Sequence, residues 1–64
     1  MKTLQDVATE EEIDYLISNQ LIAEEHKTIP AEIREISGKE TEIEFKDGLL
    51  VTIYDAVEPT AKWL

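Results

Sequence analysis

Cysteine is absent from all 64 residues, so no disulfide can staple the fold and no thiolate can act as nucleophile or metal ligand. A single His leaves too few soft donors for a structural zinc. Gly and Pro occur only twice each, which excludes a flexible linker and turns each into a positional marker. Long apolar runs are missing too, and a membrane-spanning helix needs ~20 such residues. No apolar stretch of signal-peptide length follows Met1-Lys2-Thr3-Leu4-Gln5-Asp6-Val7 before Glu10, so a soluble, cytoplasmic protein is expected. Basic residues are the scarcest group relative to their opposites: six Lys and Arg stand against fifteen Asp and Glu, for a formal charge of -9. Such a surface repels nucleic acid and anionic membranes and attracts basic proteins. The expected partner is a protein with a basic surface, with no direct nucleic acid binding, no membrane and no cofactor.

What is present suffices for one small core. Hydrophobic residues make up 42% of the chain, an ordinary globular share. A chain this short buries only ~60% of its unfolded surface, so residues 1–64 are read as a single domain. With neither disulfide nor metal available, self-association as a homodimer stays open as a further support.

Thr9-Glu10-Glu11-Glu12 has the form of a capping box, and Ile13, Leu16, Ile17 and Leu21 follow at helical spacing, with Tyr15 and Ile22 as a shoulder. Pro30 forbids continuation, which predicts a helix over about residues 10–26, with His26 a solvated residue near its end. The stretch Ser18-Asn19-Gln20 is a poor helix former and leaves a competing reading, a helix ending at Asn19 followed by an extended Leu21 to Thr28.

After Pro30 the apolar period becomes two, and Ser37-Gly38 and Asp47-Gly48 punctuate strands expected near 31–36, 40–46 and 49–54. A two-residue Asp47-Gly48 loop would set Leu49, Val51 and Ile53 beside Glu42 and Glu44. A three-residue loop, Lys46-Asp47-Gly48 with Gly48 left-handed, instead pairs Phe45 with Leu49 and Ile43 with Val51. One face then collects Thr41, Ile43, Phe45, Leu49, Val51 and Ile53. A similar loop at Ser37-Gly38-Lys39 adds Ile33 opposite Ile43. The other face carries Glu40, Glu42 and Glu44, with Leu50, Thr52, Tyr54, Arg34 and Ile36. The fold class is therefore α+β, one amphipathic helix over a three-stranded antiparallel meander. Ile33 to Tyr54, with its Phe45-Lys46-Asp47-Gly48 turn, resembles the central strands of small SH3-like barrels, which implies as an alternative a small barrel with an N-terminal helix.

Catalytic groups are few. Adjacent helical residues diverge by about 100°, so Glu25 and His26 form no dyad. Glu42 and Glu44 stand ~6.5 to 7 Å apart on one strand face, a spacing known from glycosidases, but no cleft for a sugar is expected beside a flat sheet. The Asp47-Gly48 turn lacks the acidic spacing of a calcium loop. A non-enzymatic protein is the reading that remains.

Three acidic areas stand out: Glu10, Glu11, Glu12 and Asp14 at the helix start, Glu24 and Glu25 at its end, and the strand row Glu40, Glu42 and Glu44. The first complements the helix dipole, and all three help keep a small protein soluble. The row is different, because like charges on alternate residues of one strand repel, with Arg34 as the base across from them. Glu40, Glu42, Glu44 and Arg34, with Ile36, Leu50 and Tyr54 as desolvated anchors, form the candidate partner-binding site. Glu10, Glu11, Asp14, Glu24 and Glu25 form a secondary acidic patch. The expected function is a small acidic inhibitor or modulator, a mimic of nucleic acid charge of the phage anti-defence kind that blocks a basic nucleic-acid-binding protein. The alternative is a structural or regulatory module that homodimerises or docks through its open sheet face, with Trp63 and Leu64 as core or interface.

Overall fold

Two Thr-x-x-acid boxes organise the N-terminal third. The computed structural model describes residues 2–64. At the first box the Asp6 carboxylate accepts the Thr3 N–H at 2.7 Å and the Thr3 hydroxyl at 3.2 Å, and one helical turn follows, α1, Leu4–Val7. At the second, Glu12 N–H donates to Thr9 Oγ1 at 3.1 Å and Thr9 N–H to Glu12 Oε1 at 2.8 Å, the reciprocal bonds expected from the sequence. This box opens α2, Glu10–Ser18. α1 lies outside the helix expected from the sequence, yet its Leu4 is fully buried.

α2 stops at Ser18 rather than near residue 26. Gln20 takes a left-handed φ of 60°, its N–H donates to Ile17 O at 2.9 Å, and Leu21 N–H reaches Leu16 O at 2.8 Å. These are the two bonds of a Schellman ending, built here without glycine. Asn19 Nδ2 adds a bond to Tyr15 O at 2.8 Å. Residues 20–28 are neither continuous helix nor extended strand, for a 3₁₀ turn occupies Glu24–Lys27.

His26 is not solvated: it is only 6% exposed. Its Nδ1 accepts the Ala23 N–H at 2.9 Å, its Nε2 lies 2.9 Å from Asp47 Oδ2, and its ring meets the Phe45 ring edge-on at 4.8 Å. Since Nδ1 accepts, the bond network assigns the proton of the neutral imidazole to Nε2, which donates to Asp47.

Four strands follow, β1 (Glu32–Ser37), β2 (Glu40–Glu44), β3 (Leu49–Tyr54) and β4 (Thr60–Trp63), in one open antiparallel sheet of order β1-β2-β3-β4. The sheet does not close, so the barrel alternative gives way to the open α+β form. The second hairpin has the bulged register expected from its hydrophobic pattern. Phe45 N–H donates to Leu49 O at 2.9 Å, Ile43 lies opposite Val51, and Gly48 sits at φ +96°. Asp47 Oδ1 accepts the Leu49 N–H at 3.1 Å, so its two oxygens tie the turn to both β3 and His26. The first hairpin keeps Ile33 opposite Ile43 but pairs Ser37 with Glu40. The loop is therefore the two residues Gly38 and Lys39, and Ile36 is the extra residue of a bulge.

β4 is the strand not anticipated. Ala61 and Trp63 pair with Val51 and Leu49, and Leu64 N–H extends the pairing to Gly48 O at 2.8 Å. Ile43, Phe45, Leu49, Val51 and Ile53 on the inner face meet Leu4, Ile13, Leu16 and Ile22 to form the core. Each such side chain contributes roughly 1.5–3 kcal/mol by leaving water. Among the described residues no helix is long and apolar enough to cross a membrane.

Candidate functional site

The helices cover one face of the sheet, and strand parity assigns the residues of the other. Glu32 and Arg34 come from β1, Glu40, Glu42 and Glu44 from β2, Leu50, Thr52 and Tyr54 from β3, and Thr60 and Lys62 from β4. Registration sorts them into cross-strand rows: Glu32, Glu44, Leu50 and Lys62 in one, Arg34, Glu42, Thr52 and Thr60 in the next, Glu40 beside Tyr54 in the last. The three glutamates do lie together on this face, and the C-terminal tail, folded as β4 at the sheet edge, does not cover them.

Arg34 gathers most of the row. Its guanidinium bonds Glu44 Oε1 at 3.0 Å, approaches Glu42 Oε1 at 3.5 Å, and bonds Glu32 Oε1. The bonds to Glu44 and then Glu32 raise the Arg34 pKa above its ordinary value, so the charge of Arg34 is fixed. Glu40 takes part in no ion pair among the described residues. The repulsion anticipated along β2 is thus relieved at its Glu44 end and left at its Glu40 end, next to the half-buried Tyr54.

Two of the expected anchors differ, one in burial and one in place. Leu50 is only 7% exposed, in the central strand between Glu44 and Lys62 of its row. Ile36 is 53% exposed, but the bulge removes it from the ladder and gives Ser37 the place beside Glu40. Leu50 and Tyr54 keep their expected places opposite Glu44 and Glu40, and of the two only Tyr54 is more than marginally exposed. Trp63 is not tucked over the core either: it is 64% exposed and Leu64 69%.

The secondary patch does not merge with this face. Glu10, Glu11 and Asp14 are exposed on α2, on the helix side of the sheet. Glu24 pairs with Lys27 at 3.6 Å, while Glu25 is exposed on the 3₁₀ turn. Folding instead brings Glu11 and Glu12 to a hollow with Tyr15, Asp55, Val57 and Glu58. Grouping acids by sequence position misses this hollow, because its two sides come from α2 and from the loop between β3 and β4.

Catalytic geometry is not assembled around His26, whose two nitrogens are both engaged. The Asp47 carboxyl is held below the usual carboxylate range, first by the His26 bond and then by the Leu49 N–H. Among the described residues no three His, Asp or Glu side chains converge as a metal site. Comparison with family models, curated proteins and solved structures finds no match to this chain.

Proposed function

We propose that the chain is a small non-enzymatic acidic module that docks on a basic protein through the outer sheet face and inhibits or modulates it. The observation that carries this reading is the row of Glu40, Glu42 and Glu44 on an uncovered face. One arginine is drawn into three of that face's carboxylates, and Glu40 stands free of ion pairs among the described residues beside Tyr54. The negative row steers and orients a cationic partner, and Tyr54 supplies the aromatic contact that charge alone does not.

Occupation of a nucleic-acid groove is the narrower form of this reading. Along β2 the acids repeat every ~7 Å, against one charge per ~1.7 Å of duplex axis. Of the α2 acids, Glu12 lines a hollow with Glu40 and Tyr54 at one end of the row, and Glu10, Glu11 and Asp14 stay on the helix side, so the spacing within the row is not shortened. Docking on a basic protein surface therefore fits the geometry better than replacement of a duplex. The rival, a module that self-associates, draws support from the exposure of Trp63 and Leu64 at the sheet edge.

The test is capture of partners from host lysate at low and high salt, followed by affinity measurement with Glu42→Lys/Glu44→Lys. Binding that falls steeply with salt and is lost in the double variant, with thermal unfolding unchanged, supports the proposal. Unchanged affinity removes the row from the mechanism, and salt-resistant self-association favours the rival.

A further inference from the structure

The last backbone bond of β4 reveals which way its other groups point. Leu64 N–H donates toward β3, to Gly48 O at 2.8 Å. Along an antiparallel strand alternate residues turn their N–H and C=O to opposite sides. Lys62 and Thr60, opposite Leu50 and Thr52, therefore pair with β3, and Ala61 and Trp63 present their N–H and C=O to the open edge. Among the described residues no backbone group pairs with Ala61 or Trp63 on that side. The other edge is guarded: β1 carries Glu32, Arg34 and Glu35, is broken by the bulge at Ile36, and is preceded by an Ala31 N–H bond to Lys2 O.

Two hollows flank the ends of β4 on its helix side. At the Pro59 end lie Glu11, Asp55 and Glu58 with the Tyr15 ring. At the Trp63 end, a mixed hollow joins Trp63 with Ile17 and Leu21 on one side and Glu25 and Asp47 on the other, and the Trp63 ring, 64% exposed, is its apolar wall. We infer that the β4 edge accepts an extended segment of a partner protein as a fifth strand. Backbone bonds to Ala61 and Trp63 hold it, with a Lys or Arg side chain in the acidic hollow and an apolar side chain against Trp63. The charge of the acidic hollow selects a basic residue. A second copy fits less well, since it brings another -9 and, in a two-fold pairing centred on Lys62, sets two lysines side by side. The inference rests on the reading of this chain as a module for basic partners, and it gives that partner a backbone conformation and a side-chain order.

The probe is the capped peptide Arg-Thr-Leu-Thr-Arg, which presents the same pattern in either direction, titrated into the whole chain. Trp63 is the sole tryptophan, so its emission reports the edge directly. The expected result is a saturable blue shift, with exchange protection gained at the Ala61 and Trp63 amides and not at Ile33 or Glu35. Ala61→Pro removes the outward N–H without touching the β3 ladder and should weaken binding at least ~10-fold. Glu11→Lys/Glu58→Lys should weaken it comparably and serves as the test if the proline variant unfolds. Absence of the shift, full affinity in the variants, or protection of Ala61 and Trp63 that grows with protein concentration without peptide each overturns the inference. Binding lost in Glu42→Lys/Glu44→Lys but kept in the edge variants overturns it while sparing the outer-face reading; the reverse pattern sinks that reading and keeps the edge.

Discussion

The imidazole of His26 bridges Ala23 and Asp47, accepting a backbone N–H at one nitrogen and donating to a carboxylate at the other, each over 2.9 Å. This link fastens the 3₁₀ turn to the β2–β3 turn and so closes the helical layer over the sheet. Its acid dependence has a defined sign. The folded Asp47 pKa lies below its ordinary value of ~3.9, so the unfolded chain takes up the proton first as pH falls. The stabilisation is complete above the ordinary carboxylate range and is lost as pH falls through the lowered folded value. Urea midpoints measured from pH 7 downward should drop more steeply below about pH 4 for the parent than for Asp47→Asn. Parallel curves would remove Asp47 from the acid response. Asp6, lowered by its bonds to Thr3, should supply the remaining slope in both proteins.

Gln20 stands where a Schellman ending favours glycine, at φ 60°. A side chain in this left-handed conformation costs roughly 1 kcal/mol that glycine avoids. Gln20→Gly should raise stability by about 1 kcal/mol, or roughly 4–8 °C in Tm for a domain of this size, while Gln20→Ala stays near the parent. A Gly variant less stable than the Ala variant would contradict the assigned ending.

These two features also mark the limit of what the sequence discloses. The helix start was legible because Thr9 and Glu12 lie within one turn, and the second hairpin because only the three-residue loop puts Ile43, Phe45, Leu49 and Val51 on one face. The acidic row followed from the same parity. The poor helix formers Ser18-Asn19-Gln20 mark the helix end as the competing reading at Asn19, but its left-handed residue, Gln20, carries no glycine-like mark, so the sequence pattern favours the longer helix. The role of His26 was hidden because its partner lies 21 positions away. α1 and β4 each have four residues, too few to display a period. Ser37-Gly38-Lys39 fits either loop length, so the bulge at Ile36 could not be read from it. The burial of Leu50 was not legible because β4, which makes β3 an inner strand and puts Lys62 beside Leu50, was not anticipated.

Leu4 shows how far the core depends on the missed first turn. It is fully buried with Ile13, Leu16 and Val51, and truncating such a Leu costs about 2–5 kcal/mol. A 64-residue domain holds only roughly 3–10 kcal/mol in total. Leu4→Ala should therefore abolish most of the cooperative near-ultraviolet unfolding transition at room temperature, whereas Gln5→Ala, at an exposed position of the same turn, should leave it intact. Equal transitions in the two variants would show that α1 is dispensable.

Arg34 links the electrostatics of the outer face to its stability. With Arg34→Gln, Glu32, Glu42 and Glu44 keep their mutual repulsion and lose the cation among them. The unfolding temperature should fall, and the deficit should be larger at about 0.01 M ionic strength than at about 1 M, where the screening length shrinks from roughly 30 Å to roughly 3 Å. A packing role for the arginine stem predicts the opposite pattern, a deficit independent of salt, because apolar contacts are not screened. If the deficit does vanish at high salt, the same substitution also strengthens the negative potential of the face, so the salt-sensitive binding of a basic partner should tighten as the free domain weakens. Loss of both stability and affinity would mean that Arg34 holds the glutamates in their docking arrangement, and would move it from a neutralising residue to a positioning one.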